Sequence, residues 1–239
     1  MSGDDLRQRL VIGCKILSRE GLVRGFGHLS ARLPGAGAFL ISPRVSLALV
    51  EEPDLATVTL DGQQVAGPRP MPMETPLHTA IYRRRPDVMS ITRLHPKMVL
   101  VLSVLGRTVA PVHSFGTVLP RPLPVFPSSA LIRTPQRAEA LADALGDAPG
   151  VILRGNGAVV VGGSIAETCV RAVYLEESAE ILYRALSIGA PCYLTPEEAE
   201  EGGAEILPPV DLERAWNYYA DQVLRDRAGA GGRHGGAGP

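Results

Sequence analysis

The chain has 239 residues, of which 45% are hydrophobic and 21% charged, and it carries a formal net charge of −1. Such a composition excludes a disordered or fibrous body and suits a globular fold with a sizeable apolar core. The near-zero charge gives no electrostatic ground for expecting nucleic acid or an anionic membrane surface as the main partner.

From the N-terminus, MSGDDLRQRL lacks the basic and then apolar order of a secretory signal, so export is not expected. Leu6, Leu10, Val11, Cys14 and Leu17 recur at helical spacing, and Gly21 can take the positive φ that ends such a helix. His28 and Ser30 follow in a glycine-flanked stretch that reads as a turn. Residues 38–42 and 57–60 are short strand candidates, and Asp61-Gly62 before residues 63–65 carries a hairpin signal.

Residues 74–84 have helical character, and residues 88–92 read as a buried strand running into Arg93-Leu94-His95-Pro96. Proline disfavours regular structure there, which puts His95 at a strand's end. The most apolar stretch, residues 88–105, is interrupted by Arg93, His95, Pro96 and Lys97, so no membrane span is predicted.

Residues 151–154 and 158–161 are apolar strand candidates joined by Gly155-Asn156-Gly157, which places Asn156 at a turn tip. Ser164 and Glu167 have capping-box spacing, and Cys169, Val170, Val173, Tyr174, Ile181 and Leu182 continue a helix until Gly189. Thr195-Pro196 opens another helix, and a last one is predicted over residues 211–225. From residue 228 the sequence AGAGGRHGGAGP has too little to bury, so a disordered tail is expected, with no role for His234. The remainder, residues 1–227, reads as one domain. Cys14, Cys169 and Cys192 are few, odd in number and widely spaced, which argues against a disulfide framework or a cysteine zinc site and fits a reducing cytoplasm. Helices interspersed with mostly non-βαβ strands suggest an α/β sandwich.

Several segments in order, GFGHLSAR at 25–32, FLISPR at 39–44, ETPLHTAIY through RLHP at 74–96 and LRGNGAVVVGG at 153–163, resemble the class II aldolase/adducin family. The resemblance implies a three-layer sandwich, a largely antiparallel central sheet with helices on both faces. It also implies a homo-oligomer, commonly a tetramer, with sites between subunits. GFGHLSAR and the late RAVYLEESAEILYRALSIGAPCYLTPEE are most similar to the branch of decarboxylases acting on aromatic and ring-cleavage acids. The aldolase branch usually has asparagine where His28 stands and a small residue where Arg44 stands, so a carboxylate rather than a sugar phosphate is the expected anion.

In metal-bearing relatives three histidines hold a divalent ion, usually zinc, and a glutamate at a helix start moves the proton. Glu74 matches that glutamate and His95 the second histidine of His-x-His-Pro, but Arg93 stands at the first histidine and Asn156 at the third. A guanidinium cannot ligate a cation and asparagine is a poor zinc ligand. No cofactor is therefore expected, and a divalent metal would need ligands from outside this triad.

The resulting expectation is a metal-independent carbon–carbon lyase, a decarboxylase of a small oxygenated carboxylate. Glu74 and His95 would be the acid/base pair, with Arg93 and Asn156 replacing the metal as charge stabilisers, Arg93 by gripping an oxyanion and Asn156 by donating a hydrogen bond. His28, Ser30, Ser42, Arg44 and His78 are candidate substrate-binding residues, with His78 four positions after Glu74 on one helix face. The C-terminal Tyr218 and Tyr219 beside Trp216 read first as helix packing. Two other readings stand beside this one: a repurposed isomerase, dehydratase or cyclase using the same acid/base residues, and a non-catalytic adducin-like binding protein.

Overall fold

The spine of the protein is one eight-stranded sheet, with helices on both faces; the computed structural model describes residues 3–206 and 208–231. The strands are β1 (His28–Leu33), β2 (Ala38–Ile41), β3 (Ala56–Thr59), β4 (Gln64–Ala66), β5 (Ser90–Leu94), β6 (Val125–Phe126), β7 (Gly150–Leu153) and β8 (Gly157–Gly162). Their order is β4-β3-β2-β1-β5-β8-β7-β6, and every neighbouring pair is antiparallel except β6 with β7. The seven described helices are α1 (Gly3–Arg19), α2 (Thr75–Arg84), α3 (Lys97–Val104), α4 (Pro135–Leu145), α5 (Ile165–Ile188), α6 (Pro196–Ile206) and α7 (Pro209–Gly231). This is the three-layer arrangement that the motifs implied.

Strand alternation builds two separate cores. Leu29, Ala31, Leu40, Leu94, Ala158 and Val160 face the larger core, shared with α1, α3, α5 and α7. Phe39, Ile41, Ile91, Val159 and Val161 face the smaller one, under α2 and α4. The register pairs His28 with Arg93, so these neighbours share the α2 face, as does Ser30.

This corrects the reading of His28 and Ser30 as turn residues: both lie on β1, between β2 and β5. His-Leu-Ser-Ala is polar–apolar alternation, but its polar face is also buried, and the preceding glycines obscured the signal. Gly27 has φ 133°, and a Cβ on it would lie 2.4 Å from Val23 Cγ1 and 3.0 Å from Arg93 O, so it allows the close approach with which β1 begins.

Three further elements escaped the sequence reading. The apolar run KMVLVLSV of α3 has no polar face to mark it as a helix. Its N-terminal N–H groups are satisfied from afar: Glu176 on α5 accepts from Met98 N at 2.9 Å and Val99 N at 3.2 Å. β6 spans only Val125–Phe126, too short for a periodic signal. By contrast α4 has a legible start, a Thr134 cap followed by Pro135, as α6 has Thr195 and Pro196. At α5, Ser164 Oγ accepts from Glu167 N, while the Glu167 carboxylate reaches one residue further back than a capping box requires, to Gly163 N at 2.6 Å.

Trp216 is buried under the Arg9 guanidinium, Tyr218 is exposed, and Tyr219 packs on the larger core. Helix α7 continues to Gly231, beyond the predicted end at 225 and into the segment expected to be a tail; the rest of that segment, with His234, lies outside the described residues. Cys14 and Cys169 are buried and Cys192 is exposed, none of them in a disulfide. No described helix is long and apolar enough to cross a membrane.

Candidate active site

At the end of β5 and the start of α2 lies a cleft of about 510 Å³, lined by His28, Arg44, Glu74, His95 and Arg133 together with Gly25–Gly27 and Leu131. Glu74 is the N-cap residue of α2, but its side chain makes no cap bond. Its Oε1 instead accepts from Ile132 N at 2.9 Å, fastening the segment that carries Arg133. Its Oε2 is approached by His28 Nε2 at 3.9 Å and Arg93 Nε at 3.8 Å. Those two nitrogens are also the buried polar side-chain atoms without a hydrogen-bond partner among the described residues, and both are aimed at one carboxylate oxygen.

Burial by itself would raise the Glu74 carboxyl, but His28, the Arg93 charge and the Ile132 N–H outweigh it and hold the pKa at about 2. Glu74 is thus ionised at neutral pH. His95, half-buried and next to the Arg93 charge, is lowered to about 4, mainly by desolvation, so its imidazole is neutral there. His28 is lowered by burial despite its carboxylate neighbour.

Arg93 is fully enclosed. Its guanidinium donates to Leu94 O at 2.6 Å through Nη1 and to Asn156 Oδ1 at 2.9 Å through Nη2. The amide of Asn156 is engaged at its other end too, donating to Ser129 O at 2.8 Å. The expectation that Arg93 grips a substrate oxyanion with an open fork, with Asn156 donating beside it, is therefore corrected: the two replacements bond to each other, Nη1 and Nη2 each donate to a protein acceptor, and the Nε–H without a partner is aimed at Glu74. Gly157 makes the arrangement possible. A Cβ on it would stand 2.2 Å from Leu94 O and 2.8 Å from Arg93 Nη1.

A three-histidine metal site does not fit these residues. A guanidinium and an amide occupy two of the three positions and are clasped together, and among the described residues no group of three or more His, Cys, Asp or Glu side chains could hold a metal ion.

Of the expected substrate-binding residues, His28 and Arg44 reach the cleft. Ser30, Ser42 and His78 do not, being fully buried. The Ser42 hydroxyl accepts from Leu29 N at 3.1 Å and so closes the β1–β2 pairing. Ser30 and His78 lie behind His28. Two contributors were missed. Arg133 sits one residue before the Thr134-Pro135 helix start, a signal that would have placed it at an element's end. Tyr82, bonded to Ser30 at 2.8 Å, follows Glu74 and His78 at helical spacing.

Residues 8–183 match the family described as Class II Aldolase and Adducin N-terminal domain. Among curated proteins the chain is 30% identical over 232 residues to the 3,4-dihydroxyphthalate decarboxylase of Arthrobacter keyseri, covering 91% of this chain and 93% of that one. Among solved structures it is similar to an aldolase II superfamily protein from Pseudomonas syringae, with a TM-score of 0.84, 21% identity and 95% of each chain covered. It is also similar to the L-fuculose 1-phosphate aldolase of Glaciozyma antarctica, with a TM-score of 0.81, 21% identity, and coverage of 93% and 90%. At these identities the structural likenesses speak for the fold.

Proposed function

Because the chain belongs to the class II aldolase and adducin family, we propose that it is a lyase, a decarboxylase of a small hydroxylated carboxylic acid that works without a bound metal. The observation that carries this reading is an ionised Glu74 facing a cleft in which cationic groups outnumber it: Arg44 and Arg133 at the lining and Arg93 beneath. Since His28 and His95 are neutral, the surplus positive charge suits a substrate with two carboxylates. The similarity to a dihydroxyphthalate decarboxylase supports the same class, an aromatic acid.

In this mechanism Glu74 takes the proton of a substrate hydroxyl and returns it to the ring carbon that bears the departing carboxylate. The carbon–carbon bond then breaks, CO2 leaves, and the bonding electrons pass through the ring to the oxygen, which takes a proton from water. Arg93 acts through Glu74, keeping it ionised as the base and adding fixed positive charge beneath the developing oxyanion. His95 offers a contact to a substrate oxygen, His28 faces Glu74 from behind, and Arg44 with Arg133 hold the carboxylates. The protein works in this scheme as a homo-oligomer, in keeping with its family.

The test is to treat the protein with chelator, verify its metal content, and incubate it with hydroxylated aromatic mono- and dicarboxylates while following CO2 and product mass. Release of CO2 that Glu74→Gln abolishes is the expected result. A product of unchanged mass would make the protein an isomerase, and binding without turnover would favour an adducin-like role. Activity appearing only on addition of a divalent ion would overturn the metal-free mechanism.

A further inference from the structure

Behind His28 runs a line of buried polar groups that the reaction above does not use. Tyr82 Oη lies 2.8 Å from Ser30 Oγ, Ser30 Oγ lies 2.7 Å from His78 Nδ1, and His78 Nε2 lies 2.7 Å from His28 Nδ1. Tyr82, Ser30 and His78 are all enclosed, with Phe39 stacked on the His78 ring and the Arg32 guanidinium over the Tyr82 ring.

Each bond takes one hydrogen, and each neutral imidazole or hydroxyl supplies one, so the line has two possible directions. In the first, Tyr82 donates to Ser30, Ser30 to His78 Nδ1, and His78 Nε2–H to His28 Nδ1. His28 then carries its proton on Nε2, directed at Glu74 Oε2. In the reverse direction Tyr82 O–H is left without an acceptor among the described contacts, and the bare lone pair of His28 Nε2 faces an ionised carboxylate. Both ends thus favour the first direction. A third arrangement, with Ser30 accepting from both Tyr82 and His78 and donating to Ile91 O, uses the longest contact of the line at 3.5 Å and again leaves the bare lone pair of His28 Nε2 facing the carboxylate.

We propose that Tyr82, Ser30 and His78 are positioning residues whose hydrogen-bond chain fixes His28 as the Nε2–H tautomer, a neutral donor held toward the Glu74 carboxylate at the edge of the cleft. The charged and titratable groups facing His28 are Glu74 and His78 from α2, Arg93 from β5 and His95 just after it. Burial disfavours protonation of both His28 and His78, in keeping with two neutral rings. In this form His28 cannot compete with Glu74 for the substrate's proton, and its N–H faces that carboxylate. The assignment goes beyond the proposed reaction and holds whatever acid the cleft accepts.

The experiment uses the full chain labelled with ¹⁵N-histidine, its ring nitrogens followed from pH 5 to 9 and His28 identified from the spectrum of His28→Gln. The expected result is Nε2 protonated and Nδ1 bare on both His28 and His78, with no titration of either. His78→Gln, whose amide can still donate to His28 Nδ1, keeps the Nε2–H signature of His28, whereas His78→Leu loses it. Where the leucine variant does not fold, Ser30→Ala removes the donor to His78 Nδ1 with a smaller change and is expected to mix the tautomers of both rings. A wild-type His28 that is Nδ1–H or doubly protonated, or a tautomer unmoved in His78→Leu or Ser30→Ala, overturns the proposal.

Discussion

Replacing Arg93 with methionine removes a buried charge while keeping much of the side chain's volume. The guanidinium is enclosed, donates to Leu94 O and Asn156 Oδ1, and places Nε 3.8 Å from Glu74 Oε2. Removing one member of a buried pair costs about 3–5 kcal/mol when the other is left charged. Glu74 keeps 12% of its side-chain exposure and its bond from Ile132 N, so the low end, about 3 kcal/mol at pH 7, is expected. The pH dependence carries a definite sign. With a folded pKa of about 2 against an ordinary 4.5, Glu74 contributes stability that is full above pH 4.5 and is lost as pH falls through about 2. That displacement corresponds to about 3 kcal/mol, at ~1.4 kcal/mol per tenfold change in proton affinity, shared among His28, Arg93 and Ile132. Without Arg93 the carboxyl titrates higher, so the stability gap between the wild type and Arg93→Met narrows as pH falls from 7 to 3.5. Denaturant unfolding at the two pH values measures it. A variant as stable as the wild type at pH 7, or a gap that does not change with pH, would refute the coupling of Arg93 to Glu74.

Gly157→Ala is expected to destabilise by at least about 2 kcal/mol, because its Cβ would meet Leu94 O and the Arg93 guanidinium at φ 133°; thermal unfolding checks it. Arg44→Met and Arg133→Met should each raise KM about tenfold for a dicarboxylate with kcat little changed, as measured by steady-state kinetics on the identified substrate. Restoring histidine at both altered positions, in Arg93→His combined with Asn156→His, should give about one zinc per chain by elemental analysis after dialysis, against far less for the wild type. If the double variant binds no zinc, the three positions do not form a ligand geometry.

The parts of this molecule that were legible in its sequence are those specified by neighbours along the chain. The β7–β8 hairpin announces itself through Gly155-Asn156-Gly157, and α5 through Ser164 and its apolar spacing. Glu74, His95, Arg93 and Asn156 were identified together, and the structure brings all four to one place. What the sequence could not reveal depends on partners far away. The acceptor for the Asn156 amide is Ser129, and the helix cap of α3 is Glu176. Likewise, that Arg93 donates inward from both Nη1 and Nη2 follows from Leu94 O and Asn156 closing on it, a matter of local packing that residue type does not encode. His28 and Ser30 misled because a strand buried on both faces does not advertise which of its residues are polar for a purpose.

The division of the interior by the sheet bears on how the protein can be altered in the laboratory. Glu74, His78 and Tyr82 are held by α2 and its start on the smaller-core side, and His28, Ser30 and Arg93 point the same way. The larger core, with α1, α5 and α7, lies behind the strand backbones. Substitutions that improve packing between those three helices can therefore be accumulated with little disturbance of the cleft, whereas redesign around Phe39 or Leu77 disturbs the buried line from Tyr82 to His28 and the Glu74 carboxylate. The two faces of one sheet are separate territories for engineering, and a search for hardier variants is best confined to the first.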